Sequence, residues 1–375
     1  MSNRIAFIAP ADPHDKDTSA TIHYIFKYLQ KLGEVIYLDH FSVTYYYHLR
    51  IIDKLSRVLL KEGYNYDYSV INSRRIGRQL TATIKNNRCN LIFAALSSIQ
   101  IAFVETTIPI VYLSDTTFKN MIDYYPGFSH PLSRWEGNLL EQRAVSKAKK
   151  LIYPSEWAAQ SALKDYGAPP EKVHIIPFGA NLDWLTSRPG SRGRKDQKCN
   201  LLFVGKDWRR KGGDLALAAL EKLEERGLPA QLTIVGCQPP GNFPRPHVRV
   251  IPYLNKNREE DARHLEQLYS EADFFVLPTR ADCSPIVAAE ANAFGLPVIS
   301  TDTGGLPAVI KEGINGYLLP LTATGEDIAE VIATVFRDEK KYLALRETSR
   351  KEYENRLNWE VWTQKVADVI AGALE

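Results

Sequence analysis

The sequence predicts an α/β protein built from two doubly wound, Rossmann-like domains, each a parallel sheet with helices on both faces. Three observations predict it. Short apolar runs alternate with stretches of helical periodicity along most of the chain, the mark of repeated βα units. The alternation stops once, over Thr186 to Lys198, where Thr, Ser, Arg, Pro, Gly and Lys carry no apolar periodicity. It restarts at Asn200. A chain of 375 residues fits two or three domains. We therefore expect a first domain at 1–185, a linker at 186–198, a second domain at 199–355 and a terminal helix at 356–375.

The elements follow in order. Arg4 to Ala9 is a short apolar run, expected as a buried strand. After a polar loop, Ile22, Ile25, Phe26, Leu29 and Leu32 recur at helical spacing, with Gly33 as the stop. Glu34–Leu38, Leu91–Ala95, Ile110–Leu113, Leu151–Tyr153 and Val173–Ile176 are the further strands of the first half. Ser155 is a good N-cap for a helix ending near Gly167. In the second half, Asn200–Gly205 is a strand ending in a glycine turn. Asp214 is expected to cap a helix bearing Leu217, Leu220 and Leu223, closed by Gly227. Gln231–Gly236, Val248–Ile251, Phe274–Leu277, Pro297–Ser300 and Gly316–Leu319 continue the strands. Trp359, Trp362, Val366 and Ile370 form one stripe of a last helix, and the sequence does not say which domain it covers.

Composition excludes several classes. Hydrophobic residues make up 45% and charged residues 24%, so collagen-like and disordered readings fail. A net charge of +3 is too balanced for a protein dominated by nucleic-acid contacts. Cys89, Cys199, Cys237 and Cys283 are far apart and form no Cys-x-x-Cys, which fits a reducing compartment. The apolar run after Met1 is too short for a secretory signal, and Leu91–Val104 is too short and interrupted to span a bilayer. The expected location is cytoplasmic, with the inner face of a membrane as the alternative. Tyr45 to Arg78 is rich in Tyr, Lys and Arg. It reads as a solvated, partly apolar helical insert, with peripheral membrane contact or acceptor docking as the other reading.

The chemistry concentrates in three turns. No Gly-x-Gly-x-x-Gly follows the first strand and no Walker A loop exists, which argues against a dehydrogenase or a P-loop enzyme. The eight histidines form no His-x-x-x-His pair, and His174, inside a strand, reads as a packed core residue. Asp15-Lys16-Asp17 reads as a solvated loop rather than a two-carboxylate metal site. Gly205 to Asp214 places Lys206, Arg209, Arg210 and Lys211 where a strand hands over to a helix, a natural place for a phosphate. Leu277 to Ala291 repeats the strand-turn-helix pattern, and Glu290 sits among Ala288, Ala289 and Ala291. A carboxylate in so slim a helix is costly to bury unless paired, so a ligand hydroxyl or a basic partner is expected. Asp282 lies eight residues earlier, in the turn. A third turn, Thr301 to Pro307, follows the next strand. All three are expected on one edge of the second sheet, where one extended ligand could touch them all.

These residues resemble a family. Phe203-Val-Gly-Lys-Asp-Trp-Arg-Arg-Lys-Gly212, the Asp282 to Glu290 segment, Ala291 to Ile299, Thr303-Gly-Gly-Leu-Pro307 and Glu312-Gly-Ile-Asn-Gly316 resemble the retaining GT-B glycosyltransferases of family four, the glycogen synthase and phosphatidylinositol mannosyltransferase type. Tyr153-Pro-Ser155 and Pro177-Phe-Gly179 resemble the end of that family's first domain. The sequence departs from the pattern in four places. The first carboxylate of the Glu-x7-Glu motif is Asp282, and the Arg of the phosphate segment is Lys206, which keeps the charge but loses the bidentate fork. Ser114-Asp115-Thr116-Thr117 stands where many relatives carry a His, with Asp115 nearest, and Thr18-Ser19-Ala20 replaces the usual Gly-Gly turn.

The resemblance implies two domains facing a cleft, with the terminal helix crossing back. It implies hexosyl transfer from a UDP- or GDP-sugar with retained anomeric configuration and no metal or other cofactor. Catalytic roles would fall to Lys206, Lys211, Asp282 and Asp115. Gly205, Ser284, Ile286, Val287, Glu290 and Ser19 would bind the donor, with Glu290 on the ribose hydroxyls. Pro285 has no N–H, so the amide donors there must be Ser284, Ile286 or Val287. The acceptor, a saccharide, a lipid-linked or a small molecule, would lie near His14–Ala20 and Ser114–Tyr125. A sugar-nucleotide epimerase and a non-catalytic sugar-nucleotide-binding protein are the alternatives. A phosphorylase would need a pyridoxal-phosphate lysine, for which there is no motif.

Overall fold

A computed structural model of the chain describes residues 3–38, 47–59, 61–122, 124–183, 198–241 and 245–375. The chain divides into two compact units. The first is Met1–Ile176 with Trp362–Glu375, and the second is Pro177–Val361. The linker expected at 186–198 lies, but for Lys198, outside the described residues.

Unit 1 alternates strands and helices in the order β1 (Arg4–Ile8), α1 (Ala20–Leu29), β2 (Glu34–Tyr37), α2 (Tyr47–Leu59), α3 (Val70–Asn86), β3 (Leu91–Ala95), α4 (Ser98–Ile101), β4 (Ile110–Leu113), α5 (Phe118–Met121), α6 (Pro131–Lys147), β5 (Lys150–Tyr153), α7 (Glu156–Tyr166) and β6 (Val173–Ile175). Its six strands lie in the order β2-β1-β3-β4-β5-β6, each hydrogen-bonded pair parallel. The central strands β3 and β4 are buried at every position, as expected for a sheet covered on both faces.

Two local expectations meet a different outcome in unit 1. Helix α1 ends at Leu29 with Gln30 as its C-cap, so Gly33 does not stop it. Gly33 is instead where the chain passes the Asn3 carbonyl, and a Cβ there would lie 2.3 Å from that oxygen. His174 is only half-buried, because β6 is the sheet's edge strand. The Asp15 carboxylate accepts from the Thr18 hydroxyl and from the Asp17 N–H at 2.9 Å, closing the turn ahead of α1.

Unit 2 continues with β7 (Cys199–Val204), α8 (Gly213–Glu225), β8 (Ala230–Val235), β9 (Val248–Ile251), α9 (Glu259–Glu271), β10 (Phe274–Leu277), α10 (Ile286–Ala293), β11 (Val298–Thr301), α11 (Leu306–Val309), β12 (Gly316–Leu319), α12 (Gly325–Arg337), α13 (Glu339–Asn355) and α14 (Trp359–Leu374). Its strand order is β12-β11-β10-β7-β8-β9, again all parallel. The order reverses between β7 and β10. Open α/β sheets bind ligands outside the carboxyl ends of the strands at such a switch point. Helix α14 divides between the units: it joins unit 1 from Trp362 onward, where Trp362, Val366 and Ile370 are buried. In unit 2, the Trp359 indole N–H donates to Asn181 Oδ1 at 3.1 Å.

Candidate functional site

The turns after β7, β10 and β11 are neighbours at the carboxyl edge of the second sheet and are fastened to one another. Arg280 N–H donates to the Arg210 carbonyl at 2.7 Å, and the Thr279 hydroxyl donates to the same oxygen at 3.0 Å. Gly305 N–H donates to the Asp282 carbonyl at 2.9 Å. Two glycines allow this closeness. A Cβ at Gly212, whose φ is +77°, would fall 1.9 Å from the Pro278 carbonyl oxygen, and one at Gly305 would fall 1.9 Å from that of Cys283.

Two ion pairs at this edge engage the carboxylates singled out in the sequence. Lys211 reaches from the first turn to the Asp282 carboxylate in the second, both side chains being nearly enclosed. Glu290, on α10, is 0% exposed. Its Oε1 pairs with the Lys256 ammonium, and its Oε2 accepts from the Tyr269 hydroxyl at 3.2 Å. A buried carboxylate required such a partner, but nothing in the sequence pointed to Lys256, which comes from the loop between β9 and α9, 34 residues away. Burial, with the Glu290 charge adding to it, holds the Tyr269 phenol well above its ordinary pKa, so it remains a donor. Lys206 is exposed, with its ammonium 4.4 Å from the centre of the Tyr253 ring.

The helix N-termini contribute less than the sequence suggests. Gly212, not Asp214, is the N-cap of α8. The Gly212 and Gly213 N–H groups donate to the Arg209 and Trp208 carbonyls at 3.2 and 2.8 Å. Asp214 stands in the first turn, where its carboxylate accepts two bonds from Arg280 at 2.8 and 2.7 Å. Hydrogen bonding to that guanidinium lowers the Asp214 pKa. The α8 terminus is thus already matched by its own anion, and free positive charge in this turn rests on side chains. At α10, Ser284 N–H meets Asp282 Oδ1 at 3.3 Å and Ile286 N–H meets the Ser284 carbonyl at 2.8 Å. Val287 is the first-turn amide left for a ligand. The Ser284 hydroxyl is enclosed and has no hydrogen-bond partner, a situation that buried polar groups rarely tolerate. Arg210 is half-buried. Its guanidinium donates to the Ala281 carbonyl at 2.8 Å.

Gly205, Lys206, Lys211, Asp282, Ser284, Ile286, Val287 and Glu290 therefore all belong to this one edge of unit 2. Ser19 and Asp115 belong to unit 1. Ser19 caps α1, its hydroxyl accepting from Ile22 N–H at 3.4 Å. Asp115 follows β4 and is half-buried. Its charge acts on Glu141 of α6, a 2% exposed carboxyl that accepts from the Tyr112 hydroxyl at 3.1 Å. Burial first, and then the Asp115 charge, push the Glu141 pKa up to about 7. Among the described residues, no group of three His, Cys, Asp or Glu side chains converges as a metal site would require.

Two parallel-sheet domains, with a basic and carboxylate-bearing edge at the switch point of the second, define an α/β protein of the GT-B class. Residues 18–184 match the family described as Glycosyltransferase Family 4, and residues 198–338 match Glycosyl transferases group 1. The first half of the chain is thus similar to a family 4 glycosyltransferase domain and the second half to a group 1 glycosyltransferase domain. A relative named D-inositol 3-phosphate glycosyltransferase, from Corynebacterium kroppenstedtii, is 25% identical over 259 residues, covering 63% of this chain and 56% of that protein. The chain thus spans less than three fifths of the length of this curated relative. Among solved structures, a sucrose-phosphate synthase from Thermosynechococcus elongatus superposes with a TM-score of 0.67 at 16% identity, covering 98% of both chains. Anabaena HepE in complex with UDP superposes with a TM-score of 0.63 at 15% identity, covering 98% of this chain and 99% of that one. These likenesses show the fold.

Proposed function

We propose that the protein transfers a hexose from a nucleoside-diphospho sugar to a hydroxyl-bearing acceptor, with retention and without a metal ion. The observation that carries this reading is the edge of unit 2. Lys211–Asp282, Lys256–Glu290, Lys206 and the unpartnered Ser284 hydroxyl lie together at the sheet's switch point. Two likenesses support it: Anabaena HepE, which shares the fold, is a complex with UDP, and the Corynebacterium relative is named for a sugar-transfer activity.

The chemistry follows from charge. When the bond from the anomeric carbon to the diphosphate breaks, negative charge grows on the departing oxygens. Lys211 and Lys206 are ammonium donors that can meet that charge, with the Val287 N–H beside them. Asp282 holds Lys211 in place and can accept from a sugar hydroxyl. Glu290 belongs to the ribose side. Two lysines facing a diphosphate do the work a divalent ion would otherwise do. The acceptor would be a saccharide, a lipid-linked or a small molecule held by unit 1, near His14–Ala20 and Ser114–Tyr125, of which Asp123 lies outside the described residues.

We further place the protein at the inner, anionic face of a membrane, through α2. Asp53 and Ser56 turn inward on that helix, accepting from Tyr64 N–H at 2.9 Å and meeting the His130 ring at 3.0 Å. Ile51, Leu55, Val58 and Leu59 form an outward row, between 43% and 75% exposed. Exposed Arg50, Lys54 and Arg57 run beside that row. An apolar stripe flanked by cations fits the boundary of an anionic bilayer. No described helix is long and apolar enough to cross a membrane.

The test of the reaction is to supply UDP-, GDP- and ADP-sugars with candidate acceptors and follow nucleotide release and the anomeric signal of the product. Release of nucleoside diphosphate with a retained anomer, unaffected by a chelator, is expected. Isomerised sugar formed without an acceptor would point to an epimerase. Turnover abolished by chelator and restored by manganese would remove the metal-free reading.

A further inference from the structure

Helix α3 carries Arg74, Arg75, Arg78 and Lys85 and no acidic residue. The acidic residues of α6, Glu136 and Glu141, are buried, and Glu136 accepts from the Tyr64 hydroxyl and, at 2.9 Å, from the Val70 N–H. The outward charge of both helices is therefore positive. Phe103 is met from both. The Arg143 guanidinium carbon lies 4.3 Å from its ring centre and that of Arg74 lies 5.2 Å away. Arg143 Nε donates to the Ala102 carbonyl at 3.1 Å, which leaves its terminal amino groups uncommitted. Arg74, Arg78 and Arg143 are exposed and form no ion pair among the described residues. One turn beyond Arg143, the Lys147 ammonium donates to the Val104 carbonyl at 2.7 Å. Burial first, and then the Arg143 charge, lower the Lys147 pKa, and the exposed Glu105 carboxylate opposes them without cancelling them.

Apolar side chains are exposed on the same helices. Ile71 of α3 and Trp135 of α6 are 52% and 61% exposed. Ile71 follows Val70 and Trp135 precedes Glu136, two residues bonded to each other, so both stand at one joint of the fold. Helix α2 meets that joint as well, through Ser56 on His130, the N-cap of α6. We propose that α3 and α6 bind the headgroup phosphates of anionic phospholipids, with Arg74 and Arg143 over Phe103 as the phosphate site and Trp135 as the side chain that enters the bilayer boundary. This rests on the membrane placement through α2 above and adds to it the residues that read the headgroup. On α2 itself, Arg57 is already paired with Asp53. A ring beneath a guanidinium holds its plane without using its N–H groups, and that planar fork matches phosphate oxygens. Tryptophan suits the level of the headgroups, where its ring meets apolar surface and its N–H stays wet. A bilayer boundary offers phosphate and apolar surface together, whereas a soluble phosphate offers only the first.

The test is co-sedimentation and tryptophan emission with phosphatidylcholine vesicles, with and without phosphatidylglycerol, and with soluble glycerol phosphate as a further probe. Wild type should bind the phosphatidylglycerol vesicles and shift its emission to the blue. Arg74→Gln and Arg143→Gln should each weaken that binding about fivefold, the scale for one basic residue near an anionic surface. Lys340→Gln removes an equal charge from an exposed place on α13, in unit 2, and should stay within about twofold of wild type. Trp135→Phe changes an exposed side chain, so it should fold and lose most of the blue shift. It keeps the proposal testable should an arginine variant misfold. Arginine variants that fold and bind like wild type, while Leu55→Asp does not, would overturn the proposal and leave the α2 contact standing. Equal losses from Arg74→Gln, Arg143→Gln and Lys340→Gln would also overturn it, because the effect would then be one of net charge. So would an undiminished blue shift in Trp135→Phe, or glycerol phosphate binding as tightly as the vesicles. Wild type that binds no anionic vesicle would overturn the membrane placement itself, which separates that failure from this one.

Discussion

The Lys211 ammonium and the Asp282 carboxylate join the turn after β7 to the turn after β10 across the point where the second sheet reverses its strand order. The pair is formed by residues 71 positions apart, with side chains 13% and 9% exposed. One contact thus serves two purposes. It holds two turns in register, and it keeps a cation at the edge proposed to receive the diphosphate.

Breaking this pair from one side leaves an uncompensated charge in a nearly enclosed place. Lys211→Met and Asp282→Asn should each lower stability by about 3 kcal/mol, and the double variant should lose less than the sum. Urea unfolding of the four proteins measures this. In donor turnover at saturation, Lys211→Ala should fall by about 10²–10³, the typical loss of one preorganised donor.

Arg209 and Arg210 should separate, although they are adjacent. Arg210 bonds the Ala281 carbonyl through its guanidinium. Arg210→Ala should therefore cost about 1.5–3 kcal/mol of stability. Arg209 is exposed, and Arg209→Ala should stay within about 0.5 kcal/mol of wild type. Thermal unfolding of the two variants checks the contrast.

Glu141 makes unit 1 sensitive to pH. Its folded pKa is pushed up to about 7, against 4.5 for an ordinary glutamate. Between these values the folded protein keeps a proton that the unfolded chain has released. This contribution is therefore fully present below the lower value and is lost as pH rises through the upper one. From pH 5 to pH 8, wild type should lose about 2–3 kcal/mol more stability than Glu141→Gln. Denaturant titrations at the two pH values test this, and equal losses in both proteins would remove Glu141 as the cause.

Much of this was legible in the sequence, for physical reasons that can be named. The strands of both sheets are dense apolar runs bounded by turn residues, so their places followed from pattern. The three neighbouring turns were legible because each stands between a strand and a helix, and parallel topology puts such turns on one edge. What the sequence hid was partnership. Glu290 announced a need for a ligand hydroxyl or a basic partner, and Lys256 supplies the latter from a loop with no pattern of its own. Asp214 looked like a cap because its type and place suit one, yet Arg280 claims its carboxylate and a left-handed glycine caps the helix. Glu141 lay unnoticed on α6, because nothing local distinguishes a buried helix carboxylate from an exposed one.

Helix α2 should carry the membrane contact if that placement is right. Leu55→Asp and Val58→Asp change outward side chains that are 53% and 72% exposed, so the fold should be unaffected. Each should reduce co-sedimentation with phosphatidylglycerol-containing vesicles at least severalfold, because a charge replaces buried apolar area in the interface. Neutral phosphatidylcholine vesicles should bind wild type weakly. Undiminished binding by both variants would move the contact elsewhere.

The edge of unit 2 built by Lys211, Asp282 and Glu290 is proposed above all to bind a nucleoside diphosphate. Calorimetric titration of uridine, guanosine and adenosine diphosphates into wild type, Glu290→Gln and the surface control Glu225→Gln tests this most directly. One of the three nucleotides should bind wild type and the Glu225 variant equally. It should bind the Glu290 variant about tenfold or more weakly, since a charge-assisted hydrogen bond contributes roughly 1.5–3 kcal/mol. Equal binding by all three proteins, with the fold intact, would contradict the assignment of this edge.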